Sequence, residues 1–224
     1  MSQEKTNFES RMMDFLLKLK DYFDSDDPIL ESHYEPAEKT KLLICSGSNA
    51  TGKSFFGRMV SQYCRKIEEV ECIRIGMELR CASGMHRAFI LSGMEHEEST
   101  GVNSVHMLKG IFNTAKNRKD NHILFIDEPD IGLSESYSVA MGKYITKELS
   151  SLSDYTKLVV IVSHSRHLLQ PLLVFNPAHF RLGDNLNLKE WMEHGPELKT
   201  IEDLLNLPNK SKETWRRING KLKD

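Results

Sequence analysis

The sequence predicts an α/β fold in which a mostly parallel sheet is flanked by helices, with small helical additions at both ends. Three short runs carry that expectation. Leu42–Cys45, Ile123–Ile126 and Leu158–Val162 are continuously apolar, the pattern of strands buried on both faces. Segments with helical spacing of apolar residues lie between them, and strands joined by helices imply parallel pairing with both faces of the sheet covered.

The elements follow in chain order. Phe8, Met12, Phe15, Leu16, Leu19 and Phe23 recur at steps of three and four, so residues 8–23 read as an amphipathic helix. Pro28 and Pro36 interrupt a charged stretch over residues 25–41, which reads as a linker. After the first buried strand, residues 53–67 form a helix whose apolar face is Phe56, Met59, Val60, Tyr63 and Ile67. Val70–Ile75 and Ala88–Leu91 read as further strands. A helix over Val102–Lys116 buries Val105, Leu108, Ile111, Phe112 and Ala115, and another covers Glu135–Leu149. Beyond Arg166 the expected elements are a helix at His167–Leu172, a strand at His179–Leu182, and helices at Leu188–Glu193, Ile201–Leu205 and Lys212–Asn219. Residues 1–40 are therefore an N-terminal helix and linker, 41–183 the core, and 184–224 a helical, basic C-terminal segment.

Composition narrows the function classes. The 224 residues are 39% hydrophobic and 28% charged, which excludes a disordered tail and favours one ordinary core. The longest apolar run is Leu158–Val162 and the chain opens MSQEKTNFES, so a membrane span and an apolar signal core are not expected, and the cytoplasm is the expected compartment. Cys45, Cys64, Cys72 and Cys81 form no CxxC pair and read as buried free thiols. The net charge of -2 gives no bulk drive toward nucleic acid. Residues 209–224 nevertheless carry six bases against two acids, a patch open to phosphate or an acidic partner or simply a solvated helix.

Gly47-Ser48-Asn49-Ala50-Thr51-Gly52-Lys53-Ser54 satisfies G-x-x-x-x-G-K-[ST] between a buried strand and a helix start. The glycines let the backbone fold round phosphate oxygens, with N–H groups and the positive end of the helix dipole facing the anion. Lys53 then reaches the β- and γ-phosphates, and Ser54 offers its hydroxyl to Mg²⁺. Asp127 and Glu128 follow the Ile123–Ile126 strand, at the edge where open α/β sheets bind ligands. Asp127 suits the metal shell and Glu128 suits the orientation and deprotonation of a water; acids at a strand end also occur as solvated turn residues.

Taken together, GSNATGKS, ILFIDEP, Gly132-Leu133-Ser134 and the strand ending Ser163-His164 resemble the ABC-type ATPases, a superfamily of phosphate-loop NTPases. The resemblance implies ATP and Mg²⁺ as cofactors, with Lys53, Glu128 and His164 as catalytic residues. His164 would contact the γ-phosphate and help Glu128 hold the water. Gly47, Ser48, Asn49, Ala50, Thr51, Gly52, Lys53, Ser54 and Phe55 would bind nucleotide, and Ser54 and Asp127 the metal. Ser99-Thr100-Gly101 stands where the family's signature opens a helix, so Ser99 and Gly101 would meet the nucleotide of a second copy in an ATP-sandwiched, head-to-tail homodimer; a plain helix cap is the other reading of that segment.

Ser134 replaces the family's D-loop aspartate. The glutamine placed ahead of the signature has no counterpart, because Gln3, Gln62 and Gln170 are the only glutamines, and Glu78, Ser92 or His96 would stand in. The stretch from Gly52 to Ser99 is too short for a coiled-coil insertion. The implied function is ATP hydrolysis that drives or gates an unidentified protein effector, with nucleic acid as a possible ligand. Two alternatives remain open: a nucleotide-gated scaffold without turnover, controlling an effector such as a nuclease, and a small kinase whose lid would use Arg74, Arg80 or Arg87.

Overall fold

The structure, a computed structural model, describes residues 7–24, 30–76, 99–195 and 198–221. Its elements are α1 (Phe8–Asp24), β1 (Ser32–Glu35), β2 (Leu42–Gly47), α2 (Lys53–Lys66), β3 (Glu71–Ile75), α3 (Thr100–Asn117), β4 (His122–Asp127), α4 (Glu135–Leu149), β5 (Thr156–Val162), α5 (Arg166–Leu169), β6 (Ala178–Leu182), α6 (Leu188–Glu193) and α7 (Ile201–Lys221), with a 3-10 turn at Gln170–Phe175. The six strands form one sheet in the order β1-β6-β2-β5-β4-β3. β3, β4 and β5 run parallel, and β1 is antiparallel to β6. The expected α/β architecture, a mostly parallel sheet flanked by helices, is the one observed.

The chain divides into two compact units. The first gathers Met1–Glu38, Cys45–Met59 and Ala178–Asp224. Phe180 is its centre: the ring is fully buried and meets Phe56 at 4.7 Å, Tyr34 at 5.8 Å and Phe23 at 6.1 Å between centroids. Met12, Leu16, Leu19 and Phe23 form the buried stripe of α1, at the three- and four-residue steps that place side chains on one helix face. Asp24 joins α1 to β1 by accepting from the Ser32 amide at 2.7 Å and the Ser32 hydroxyl at 2.9 Å.

The second unit comprises Lys39–Ile44 and Val60–Pro177. Ile123 to Ile126 and Val159 to Val162 are buried almost completely, as strands covered on both faces must be. A buried polar pair at the start of these strands is satisfied internally, since His122 Nε2 meets Thr156 Oγ1 at 2.9 Å and His122 Nδ1 meets the Asp120 carbonyl at 2.8 Å. Cys45 and Cys64 are buried thiols and Cys72 is half-buried. Burial pushes the Cys64 thiol up to about 12, so it stays protonated and unreactive at neutral pH.

The structure corrects four local expectations. The stretch read as linker contains β1, whose residues Ser-His-Tyr-Glu lack an apolar run although Ser32 and Tyr34 are buried. Ile67 is 66% exposed, because α2 ends at Lys66 and the chain leaves the helical phase there. The helix expected at His167–Leu172 is a single α-turn followed by a 3-10 turn with Pro171 near its start. The two C-terminal helices are one, α7, with Pro208 inside it; proline removes one backbone donor, but the helix continues beyond it. The expected strand at Ala88–Leu91 lies outside the described residues, as do Cys81, Glu78, Ser92, His96, Arg80 and Arg87. Among the described residues, no helix is long and apolar enough to cross a membrane.

Phe180→Ala empties the centre of the aromatic cluster and should lower unfolding free energy by about 3–5 kcal/mol, measured by urea denaturation. A loss below about 1 kcal/mol would show that the cluster does not organise this core.

Candidate functional site

In the first unit, β2 delivers the chain into the loop Gly47–Gly52 and α2 begins at Lys53. Two glycines are required sterically. A Cβ on Gly47 would lie 2.7 Å from both the Leu182 carbonyl oxygen and Thr51 Oγ1, and Gly52 has a φ of +100°. Ala50 also sits in the left-handed region, at φ +63°. Lys53 folds over the loop, its Nζ donating to the Gly47 and Ser48 carbonyls at 2.9 Å each. Thr51 Oγ1 donates to the Ser48 carbonyl at 2.9 Å, and the Phe56 amide donates to the Gly52 carbonyl at 2.9 Å. That last bond is the first of the helix, and the preceding amides of Lys53, Ser54 and Phe55 belong to a first turn that has no intrahelical acceptors. Ser48, Asn49 and Ser54 are exposed. The Phe55 ring is buried, stacked on Tyr22 at 6.0 Å and edge-on to Phe23 at 5.9 Å, so only its backbone is placed to face a ligand.

A buried polar group lies just ahead of the loop. Ser46 Oγ contacts His179 Nε2 at 2.7 Å and accepts from Arg181 Nη1 at 3.3 Å. Arg181 also donates from Nε to Asp184 at 2.7 Å, and its guanidinium lies 5.1 Å from the centre of the Trp191 ring. His179 Nδ1 is buried without a partner among the described residues. Burial, aided by the charge of Arg181, pushes the His179 imidazole down to about 3, so it is neutral at physiological pH. Sequence reading did not single out these residues, although a histidine and an arginine at alternate positions of the short strand Ala-His-Phe-Arg-Leu were the available signal.

In the second unit, β4 ends at Asp127 and the next residue, Glu128, adopts φ +46°. Its amide donates to the Val162 carbonyl of β5 at 2.8 Å. His164, just beyond β5, places Nδ1 3.1 Å from Glu128 Oε1, so the structure brings together two residues the sequence paired. Glu128 is 20% exposed and His164 56%. Asp127 faces Arg74 of β3 at 3.5 Å, and the Arg74 guanidinium lies 4.9 Å from the centre of the Phe125 ring. Gly76 stands close to the same carboxylate, with Asp127 Cβ only 3.0 Å from where its own Cβ would be.

The segment Ser99-Thr100-Gly101 opens α3, with Ser99 at the N-cap position and no side-chain capping bond. Ser99 and Thr100 are exposed and Gly101 is buried. A Cβ on Gly101 would strike Leu133 and the Gly132 carbonyl, while one on Gly132 would strike Thr100. Ser104 Oγ completes the contact by donating to the Ile131 carbonyl at 3.0 Å. The Gly132–Leu133 turn and the start of α3 therefore pack backbone to backbone. Ser134 caps α4 in position only, its hydroxyl lying 3.1 Å from that of Ser136.

A glycine-built loop between strand and helix in the first unit, and paired acids at the end of a strand in the second, are features of the phosphate-loop nucleotide-binding class. Residues 43–176 match the ATPase family associated with various cellular activities, AAA, and the chain belongs to that family. No curated protein matches the chain. The expectation of a phosphate-loop ATPase is thereby met at family level.

The His179 shift has a consequence for stability. Its folded value lies below the ordinary 6.5, so its contribution is fully present above that pH and is lost as pH falls toward about 3. Between pH 7 and pH 5 this should remove about 2 kcal/mol. His179→Gln should lose correspondingly less stability over that interval in urea titrations; parallel losses in both proteins would refute the assignment.

Proposed function

We propose that the protein is a Mg-ATP-dependent hydrolase of the ABC type, working as an ATP-sandwiched head-to-tail homodimer that drives or gates a protein partner. The observation that carries the proposal is the Glu128–His164 pair: a carboxylate at a strand end, on a backbone in the left-handed region, with an imidazole nitrogen at 3.1 Å. A non-glycine residue at positive φ costs roughly 1–3 kcal/mol, and such strain concentrates at active sites.

The residues fit the nucleotide and its metal. Amides of the Gly47–Phe55 stretch receive phosphate oxygens, and the Lys53 ammonium, now on loop carbonyls, exchanges those partners for phosphate. Ser54 and Asp127 are the residues that would hold Mg²⁺, and Asp127 stands 3.5 Å from Arg74. When bound, Mg²⁺ neutralises charge on the phosphate oxygens during transfer. Glu128 orients the attacking water and takes its proton. A proton on His164 Nδ1 donates to Glu128 and holds the carboxylate in place, leaving Nε2 for the phosphate side. The exposed Ser99 and Thr100 at the start of α3 support the dimer reading, since a helix start with no side-chain cap suits an anion presented by a second copy. An unidentified protein effector completes the proposal.

Lys53→Ala should abolish ATP binding. Glu128→Gln should bind ATP and hydrolyse it at least ~100-fold more slowly than the unaltered protein; unchanged turnover would remove Glu128 from the chemistry. The solution molar mass of Glu128→Gln should double with Mg²⁺ and ATP but not with ADP. A mass that stays at the monomer value while ATP is bound would overturn the dimer.

A further inference from the structure

A loop that turns its amides toward an anion turns carbonyls the other way, and buried carbonyls need donors. Within the motif, Lys53 serves Gly47 and Ser48, Thr51 serves Ser48, and the Phe56 amide serves Gly52. Ala50 is served from outside it. Its carbonyl accepts at 2.9 Å from Thr214 Oγ1, 164 residues away on α7. Ala50 is the non-glycine loop residue at positive φ, a region L-residues enter at a cost. Its peptide orientation therefore has to be held by something, and the hydroxyl of Thr214, a residue only 3% exposed, is a donor that does so.

The contact is part of a seat. One helical turn beyond Thr214, Ile218 Cδ1 lies 3.2 Å from where a Cβ on Gly52 would be, and Phe23 of α1 closes the same space at 3.2 Å. The Tyr22 hydroxyl donates to the Ile218 carbonyl, and its ring stacks on Phe55 in the first turn of α2. The C-terminal half of α7 is thus fastened to α1, to the loop and, through Tyr22, to the helix the loop opens.

We propose that Thr214 is a positioning residue of the phosphate loop, so that the seating of α7 sets how well the loop receives phosphate. This rests on the reading of that loop as the nucleotide site. Removing the hydroxyl leaves the Ala50 carbonyl without this donor and frees the peptide between Ala50 and Thr51, inside the loop. One hydrogen bond of ordinary strength corresponds to a roughly fivefold to tenfold change in affinity.

The test compares Thr214→Val, which keeps the shape, Thr214→Ser, which keeps the hydroxyl, and Thr214→Ala as a second truncation. Affinity for a fluorescent ATP analogue with Mg²⁺ and hydrogen exchange of the nucleotide-free 47–55 amides are both measured on the full chain. Thr214→Val and Thr214→Ala should bind about fivefold to tenfold more weakly, with the KM for ATP raised and kcat retained. Exchange should quicken in the loop, and Thr214→Ser should restore both readouts. Unchanged affinity and exchange in the truncated variants, or failure of the serine to rescue, would overturn the proposal. If the unaltered protein binds no nucleotide, the functional reading fails instead, and loop exchange alone decides the role of Thr214: quickened and serine-rescued supports it, unchanged refutes it.

Discussion

The structure around the phosphate loop follows from one constraint, that a backbone offering its amides outward must satisfy its carbonyls inward. In a helix both groups are paired by the same ladder, but a loop has no ladder. Here side chains take its place: Lys53 and Thr51 from the loop's own sequence, and Thr214 from α7. Close packing fixes a glycine as well: a Cβ on Gly47 would lie 2.7 Å from the Leu182 carbonyl oxygen, so β2 passes too close to other backbone there for any side chain.

At the acidic end the governing quantity is charge in a partly buried setting. Asp127 and Glu128 are consecutive carboxylates, and two unpaired negative charges so placed would repel and lose hydration. The structure separates their partners. Asp127 turns to Arg74, itself held against Phe125, while Glu128 turns to His164. The positive φ of Glu128 is the backbone counterpart of that separation, because it accompanies a side chain facing His164 while the amide still bonds to Val162 at the end of β5. Strain and charge partition are thus two aspects of one local arrangement.

How far the sequence foretold this depends on whether a feature was written locally. Buried parallel strands announce themselves as apolar runs, and the loop motif is contiguous, so the sheet core, the phosphate loop and the Glu128–His164 pairing were legible. Edge strand β1 was not, since half of its residues face away from the core and its four-residue sequence has no apolar run. Helix α7 was read as two helices on either side of Pro208, and the structure carries it through as one. Thr214 was invisible: a threonine among lysines and arginines carries no mark that its hydroxyl reaches a carbonyl 164 residues earlier. The ABC-type reading rests on short stretches that phosphate-loop ATPases share in part, and the family match reaches the broader ATPase level.

The boundary of that match is itself informative. It ends at residue 176, and β6 begins at Ala178. From there the chain meets the loop region position by position: His179 and Arg181 hold Ser46, the Leu182 carbonyl crowds Gly47, and Gly183 leaves room for Thr51, whose Cγ2 lies 2.5 Å from where a Cβ would be. Thr214 and Ile218 then reach Ala50 and Gly52. The segment that matches the family supplies the groups that would face phosphate, whereas the segment after it supplies much of what keeps the loop in shape. A substitution beyond residue 176 can therefore disturb the phosphate loop without altering any residue of its motif. The dependence is steric at Gly47 and Thr51, where backbone and side chains are already in contact, and electrostatic at Ser46 and Ala50, where a buried polar atom would lose its partner.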